Sequence, residues 1–207
     1  MTHDSLLDAR KLPLLAVILG LLCSFTTVAA AADSGASGVK AVGEYVKEQK
    51  TPDVDVVLGY RYATMSVGDP WLLLELALSS PPGHTADMKR ENIFVITPDG
   101  AKIPAASEKE FLDAYPKLRD QIARANVARD PMGYFPPDRE PCALQLFRGT
   151  GEGIAFDSVS VDSYRVCSGK LFFHVPGGTQ PGRYVLGIDF KEAKIRIPFN
   201  IQTSAQQ

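Results

Sequence analysis

Histidine is scarce in this chain of 207 residues, which contains three, and no G-x-S-x-G sequence occurs. A serine hydrolase needs a nucleophile activated by a base, most often a histidine. Ser37 and Lys40 match the S-x-x-K pattern of penicillin-recognising enzymes, but neither S-D-N nor K-T-G accompanies them. The sequence thus contains no recognisable catalytic set, and we predict no catalytic residue and no enzyme.

The chain also lacks a strong excess of either charge. Lys and Arg number 22 against 24 Asp and Glu, giving a formal net charge of -2, and basic residues form no cluster. Binding of nucleic acid depends on neutralising phosphates with Lys and Arg, so we expect no nucleic-acid partner. Acidic residues are plentiful, which leaves open an enzyme that acts on cell-wall polymers with two carboxylates.

Long apolar runs are confined to the N terminus. A basic pair at 10–11 precedes an apolar stretch over 12–25, and the small residues TTVAAAADS follow. This order is typical of a secretory signal peptide over residues 1–32, cleaved near Ala31 or Ala32. We therefore expect a periplasmic or secreted protein.

Two alternatives concern the same N-terminal segment. Residues 12–32 approach the ~20 apolar residues that span a bilayer, so the segment could instead be kept as a membrane anchor. Cys23 would be the lipidated residue of a lipoprotein, although Leu22 stands where such signals usually carry a small residue. The membrane is an expected partner only if the segment is retained.

Cysteine is rare as well, because Cys142 and Cys167 are the only two after that segment. An even number in an exported chain favours a disulfide. Cys167 shares its parity with Leu171 and Phe173, so its thiol should point into the core and meet Cys142 there. His174 falls on the opposite face, which argues against a catalytic thiol. Closing a loop of about 25 residues would stabilise the fold by about 3–4 kcal/mol.

Alternating apolar residues dominate the rest of the chain and predict a mainly β fold in a single domain over residues 53–203. Residues 33–52 are expected to form a flexible arm or a short helix, and residues 204–207 a disordered tail. The segment PPGHTADMKREN reads as a polar loop. Strands are predicted at 54–62, 71–79, 93–96, 142–146, 171–175, 184–190 and 195–201.

One segment departs from this β pattern. Ser107 and Glu110 form a capping box, in which each side chain satisfies a backbone donor at the start of a helix. Apolar residues then recur at helical spacing, so we predict a helical insertion over residues 107–129. Pro116 interrupts that spacing, and a kink or two short helices are expected there.

The C-terminal strands carry a family resemblance. Pro181, Gly182, Tyr184 and Leu186 form a P-G-x-Y-x-L pattern. In this the chain resembles bacterial immunoglobulin-like sandwich domains, which often enter their penultimate strand through such a pattern. The resemblance covers the C-terminal strands alone. It implies an antiparallel β-sandwich used for adhesion, assembly or binding, to which the helical insertion is an addition.

Two further motifs have weak chemical meaning. Gly149, Gly151 and Gly153 form a G-x-G-x-G run, but a phosphate site would need a helix directly afterwards, and the β-like IAFDSVSV follows. We interpret the run as a flexible hairpin or a surface loop. His84 and Met88 could hold copper or zinc only with further ligands, so we predict no metal and no cofactor. A periplasmic metal carrier remains an alternative.

The segment PMGYFPP, residues 131–137, is the best candidate for a binding surface. Tyr134 and Phe135 stand between prolines in a stiff loop, and aromatic residues are enriched at binding hot spots. The alternative is that both rings cap the open end of the fold over the helix. We expect an exported, non-enzymatic binding or assembly module of the cell envelope, with a protein or envelope partner.

Overall fold

A computed structural model of the chain describes residues 38–125 and 131–202, which include twelve strands and two α-helices. The strands are β1 (Val39–Gly43), β2 (Val46–Lys50), β3 (Asp55–Gly59), β4 (Trp71–Ser79), β5 (Ala86–Lys89), β6 (Ile93–Ile96), β7 (Lys102–Pro104), β8 (Glu140–Ala143), β9 (Ser158–Val161), β10 (Arg165–His174), β11 (Gly182–Asp189) and β12 (Lys194–Ile201). The helices are α1 (Arg61–Thr64) and α2 (Glu108–Ala125).

The predicted signal peptide over residues 1–32 and the predicted tail over residues 204–207 lie outside the described residues. Within the described ranges, no helix is both long enough and apolar enough to cross a membrane.

Most of the strands belong to two sheets. The larger sheet has the strand order β1-β2-β3-β4-β10-β8, and the second has the order β12-β11-β6-β7. Strands β5 and β9 form a small separate sheet. Neighbouring strands run antiparallel except β8 and β10, which are parallel. The chain is therefore mainly β, as its alternating apolar pattern predicts.

The centre of the larger sheet is buried on both faces. Leu72 and Leu73 are neighbours on β4 and point to opposite faces, yet both are almost fully buried. Phe172 of β10, which pairs with Leu73, lies 4.7 Å from Phe111 of α2 between ring centres. Helix α2 thus covers the second face of this sheet, which explains why β4 is apolar at nearly every position.

The other face of the larger sheet shares its core with the second sheet. The ring of Phe199 on β12 lies 5.3 Å from that of Tyr60, which directly follows β3, and 5.5 Å from that of Tyr184 on β11. The Tyr184 hydroxyl accepts a hydrogen bond from the Gln180 N–H and donates one to the Gln180 carbonyl, both at 3.0 Å. This pair of bonds gives the P-G-x-Y pattern a physical role, because it ties the loop before β11 to the buried start of the strand.

Helix α2 begins at the predicted capping box. The Glu110 carboxylate accepts hydrogen bonds from the Ser107 N–H and hydroxyl at 2.8 Å, and the Ser107 hydroxyl accepts one from the Glu110 N–H at 3.2 Å. Of the kink or two short helices expected at Pro116, the two short helices are not seen, since α2 runs through Pro116 as one helix of 18 residues. Phe111 and Leu118 are buried on either side of Pro116, and their common packing holds both halves against the sheet. Beyond Ala125, the predicted insertion lies outside the described residues up to residue 129.

The expected arm or short helix over residues 33–52 is instead a β-hairpin over most of its described part. Strand β2 pairs with β3 as well as with β1, so the hairpin extends the larger sheet. Tyr45 packs edge-on against Tyr60 with ring centres 5.8 Å apart, and Gln49 is buried. Gly43 would destabilise a helix, whereas in the hairpin β2 gains backbone pairing with β3 and buries Gln49.

Two further boundaries differ from expectation. The strand predicted over 54–62 ends at Gly59, because α1 follows directly. The segment read as a polar loop contains β5, which pairs with β9. Strand β5 is short, and its partner β9 lies in a distant part of the chain.

The two cysteines of the predicted disulfide lie on neighbouring parallel strands. Cys142 on β8 lies directly opposite Cys167 on β10, and a disulfide joins them with Cα atoms 4.1 Å apart. Cys167 is fully buried as expected, whereas Cys142 is only half-buried because β8 is the edge strand of its sheet. The crosslink therefore joins neighbouring strands of one sheet.

Replacing Tyr184 with Phe should lower the free energy of unfolding by about 1–2 kcal/mol, because both backbone groups of Gln180 lose a buried partner. Urea denaturation of the two proteins measures the difference. Tyr164→Phe is the matched control, since Tyr164 is exposed. Equal losses in the two variants would contradict the role given to Tyr184.

Replacing Cys142 and Cys167 together with Ala should lower the free energy of unfolding by about 3–4 kcal/mol, because the closed loop restricts the unfolded chain. The comparison is made in a Cys23→Ser background, and the reduced parent protein serves as the control that should match the variant. Two reactive thiols in the native, unreduced parent would show that the disulfide does not form.

Candidate functional site

Two exposed apolar side chains single out one loop of the molecule. Ile154 is 75% exposed and Phe156 51% exposed, and both lie in the loop over residues 149–157 between β8 and β9. The other large apolar residues exposed among those described are Val42, Met65, Val67 and Tyr164. Met65 and Val67 are also close in sequence, but Val67 is only 37% exposed and forms a β-bridge with Thr179. Exposed apolar residues that stand together mark interaction surfaces more often than single ones do.

The first half of the loop is fixed by Glu152. Its carboxylate accepts hydrogen bonds from the Tyr115 hydroxyl of α2 at 2.5 Å and from the Gly149 N–H at 3.0 Å. The bond from Tyr115, and then that from Gly149, lowers the pKa of Glu152, while the carboxylate raises the pKa of Tyr115. A Cβ on Gly149 would overlap the Tyr115 ring, so a larger residue at this position would force the Tyr115 side chain to move.

The second half of the loop is fixed by Arg90. The Arg90 N–H donates to the Asp157 carbonyl at 2.8 Å, and its guanidinium donates to the Asp157 carboxylate and to the Leu146 carbonyl. The guanidinium also lies over the Phe147 ring, 5.7 Å from its centre. Because the Phe156 N–H bonds the Gln145 carbonyl at 2.7 Å, the backbone beside the exposed ring is held too.

The tip of the loop has the conformation that its glycines allow. Gly151 and Gly153 have φ of +85° and +106°, which residues with a Cβ rarely adopt. The G-x-G-x-G run is therefore a surface loop, as interpreted from the sequence, and its shape presents Ile154 and Phe156 to solvent. Little conformational entropy remains to be lost when such a fixed loop binds.

An open cleft of about 630 Å³ lies beside this loop. Its acidic lining residues are Glu91, Glu110 and Asp157, and its basic ones are Lys89 and Arg90. Each carboxylate has a partner: Glu91 pairs with Lys89 at 3.9 Å, Asp157 with Arg90, and Glu110 with the capping residue of α2. The bonds from the capping residue lower the pKa of Glu110. The lowered pKa keeps Glu110 ionised at neutral pH, so this carboxyl does not suit the role of proton donor in a carboxylate enzyme.

The aromatic pair singled out by sequence lies elsewhere. Tyr134 and Phe135 are half-buried, and Tyr134 ends a short 3₁₀ turn over residues 131–134 that packs beside β3, β4 and β10. A Cβ on Gly43 would come within 2.7 Å of the Tyr134 hydroxyl, so this ring leans against the β1–β2 hairpin. This position suits a ring that packs against the rest of the fold rather than one that is exposed to a partner.

The residues considered for a metal carrier do not converge. His84 is exposed with its Nδ1 3.1 Å from an Asp53 carboxylate oxygen, whereas Met88 is buried in β5. His174 lies against Trp71, with ring centres 5.2 Å apart. No group of three or more His, Cys, Asp or Glu side chains in the described part of the chain could hold a metal ion.

Comparison with family models, with curated proteins and with solved structures finds no match to this chain. The candidate site therefore depends on geometry alone.

Sequence reasoning missed Ile154 and Phe156. Their signal was present in TGEGIAFDS, where two large apolar residues stand in a polar, glycine-rich run without the period of a strand or helix.

Replacing Glu152 with Ala should increase the hydrogen-exchange rates of the backbone amides over 150–156, because the loop loses the acceptor that ties it to Tyr115 and Gly149. Mass spectrometry of native-state exchange at neutral pH measures the effect. Glu192→Ala, at an exposed turn residue, is the control and should leave these amides unchanged. Unchanged exchange in Glu152→Ala would show that the carboxylate does not fix the loop.

The same contact should depend on pH. Because the pKa of Glu152 is lowered from 4.5 in the folded chain, the anchor is fully present above that value and is lost as the pH falls through the lowered pKa. Exchange over 150–156, corrected for intrinsic rates, should therefore rise in acid in the wild type and not in Glu152→Ala.

Proposed function

We propose that this chain is an exported, non-enzymatic binding module of the cell envelope, and that the loop over residues 149–157 is the surface with which it holds a protein partner. The observation that supports this most is the exposure of Ile154 and Phe156 on a loop fixed at Gly149, Glu152 and Asp157. A protein with an apolar pocket is the partner that such side chains fit, because aromatic and aliphatic anchors fill pockets at interface hot spots.

Export is part of the proposal. A basic pair, an apolar stretch and small residues open the chain in the order of a signal peptide. The disulfide between Cys142 and Cys167 agrees with this, since disulfides persist mainly in oxidising compartments.

An immunoglobulin-like sandwich is the fold that we propose for the module. The orders β3-β4-β10 and β12-β11-β6 correspond to strands A-B-E and G-F-C of such domains, with β7 as an added edge strand. The Tyr184 hydroxyl bonded to Gln180 supports it, because these domains carry a tyrosine corner near the start of strand F. The β1–β2 hairpin, helix α2 and the parallel β8–β10 pair are additions to that plan.

The test is a crosslinking experiment in envelopes of the source cell. The chain, expressed from residue 1 with a C-terminal tag, is compared with the double variant Ile154→Ser/Phe156→Ser. We expect a crosslinked partner that the double variant captures at least tenfold less well, because the apolar anchors are gone. Met65→Ser is the matched control, since Met65 is 61% exposed on a different loop, and it should capture as the wild type does.

Two results would count against the proposal. One is the absence of any crosslinked partner, and the other is an equal loss of capture in the loop variant and the Met65 control. Urea denaturation of all three proteins verifies that the variants are folded.

A further inference from the structure

The second sheet carries an excess of basic residues on the face turned away from the core. Tyr184, Leu186 and Ile188 of β11 are fully buried, so the residues that alternate with them point outward. The registers of β11 with β12 and β6, and of β6 with β7, bring the outward charged residues of the four strands to this one face: Lys102, Arg183, Asp189, Lys194 and Arg196. Basic residues therefore predominate here, in a chain whose formal net charge is -2.

The acid of this face is already neutralised. The Asp189 carboxylate accepts a hydrogen bond from the Arg196 guanidinium at 2.6 Å, across the β11–β12 pair. Lys102, Arg183 and Lys194 are exposed, and none of the three forms an ion pair with another described residue. Their charges are therefore available to an anionic partner.

The turns beside this face do not cancel its charge. Lys191 and Glu192, in the β11–β12 turn, add one charge of each sign. Asp99, in the β6–β7 turn, is one further acid, and its carboxylate accepts hydrogen bonds from the Thr97 hydroxyl and the Ala101 N–H. The face keeps a positive excess when all of these residues are included.

The centre of the face is low and apolar. A Cβ on Gly187 would overlap the Phe94 ring, so this ring lies across β11. The Lys102 ammonium and the Arg196 guanidinium lie over the ring, 3.7 and 4.8 Å from its centre. The rest of this floor is formed by half-buried apolar side chains: Ile96, Val185 and Pro198. The basic groups thus surround and cover an apolar floor.

An open cleft of about 420 Å³ extends the basic face along β12. The residues that line it are Lys47, Arg183, Pro198, Phe199 and Asn200. Lys47 belongs to β2, which is tied to β12 because the Arg196 N–H donates to the Gln49 side-chain carbonyl at 2.8 Å. The cleft therefore combines two basic side chains and an amide without an acid, and such groups bind phosphate oxygens.

We propose that this basic face, formed by Lys47, Lys102, Arg183, Lys194 and Arg196, docks the domain on an anionic phospholipid membrane. Lys102 on β7 and Lys194 on β12 belong to opposite edges of a four-stranded sheet, roughly 14 Å apart at the usual strand spacing. One phosphate group cannot contact both, whereas a plane of lipid headgroups meets them together.

The distribution of charge favours a lipid surface over a linear polyanion. The basic residues are spread over β2, β7, β11 and β12 instead of following one line. Each Lys or Arg near an anionic lipid surface strengthens binding about fivefold, and half-exposed apolar side chains suit the boundary between headgroups and acyl chains. No cluster is visible in the sequence, because these residues come from distant segments. The inference uses no residue of the loop over 149–157 and does not depend on the proposed function.

Cosedimentation with vesicles tests the docking, using the chain expressed from residue 1. One set of vesicles contains equal parts of phosphatidylglycerol and phosphatidylcholine, and the other contains phosphatidylcholine alone. The wild type should bind the anionic vesicles at least tenfold more tightly, and this preference should disappear between about 0.1 M and about 1 M salt because the charges are then screened. An apolar N-terminal segment binds both kinds of vesicle, so it cannot produce the preference.

Neutralising the face should remove the preference. The triple variant Lys102→Gln/Arg183→Gln/Lys194→Gln should bind anionic vesicles at least tenfold more weakly, and the single variant Arg183→Gln about fivefold more weakly. The matched control is Lys109→Gln/Lys117→Gln/Arg124→Gln, which changes the net charge equally at exposed positions of α2 and should bind as the wild type does. Urea denaturation verifies that all the variants are folded.

Three results would overturn the inference. The first is a wild type that binds the two kinds of vesicle equally. The second is an equal loss of binding in the triple variant and the α2 control. The third is binding of polyphosphate, a linear polyanion, that is lost in the triple variant while binding to anionic vesicles remains.

Discussion

Strands β4 and β10 pair from Leu78–Cys167 to Trp71–His174, and side chains on both faces of the pair are buried. A strand pair of this kind needs two covers, because leaving either face in water would expose several leucine and phenylalanine side chains. The second sheet covers one face. Helix α2 covers the other, and this requirement accounts for the insertion of a helix into a β fold.

The same cover connects the core to the loop that presents Ile154 and Phe156. Phe172 of β10 contacts Phe111 of α2, whose ring lies 5.3 Å from that of Phe147. Phe147 lies beneath Arg90, which holds Asp157 at the end of the loop. A second path runs from α2 through Tyr115 to Glu152. Because both ends of the loop are held by residues that pack against the β4–β10 pair or its helical cover, the position of the exposed side chains follows from the core.

The parts of the fold that sequence predicted are those with local signals. The alternation in WLLLELALS and RYVLGIDF, and the capping box at Ser107, depend on residues close together in the chain. The β1–β2 hairpin had no such signal, because its stability comes from pairing with β3 and from Gln49 reaching β12. The parallel β8–β10 pair, likewise, joins segments about 25 residues apart.

The candidate site could not be predicted from the sequence for the same reason. Tyr134 and Ile154 both stand in turn-rich segments, and nothing near them in sequence distinguishes a packed ring from a presented side chain. Distant residues distinguish the two. Gly43, nearly a hundred positions away in the chain, leaves room for the Tyr134 hydroxyl, whereas Arg90 holds the loop that contains Ile154. Burial of this kind is decided by tertiary neighbours.

The disulfide also determines what happens if the exposed loop is cut. Cys142 and Cys167 lie on either side of residues 149–157, so the loop belongs to a covalently closed ring. A protease that nicks the chain between Gly149 and Asp157 leaves two fragments still joined through sulfur. The domain can therefore lose its presented surface while it stays a single molecule, and reducing conditions are needed to reveal that a cut has occurred.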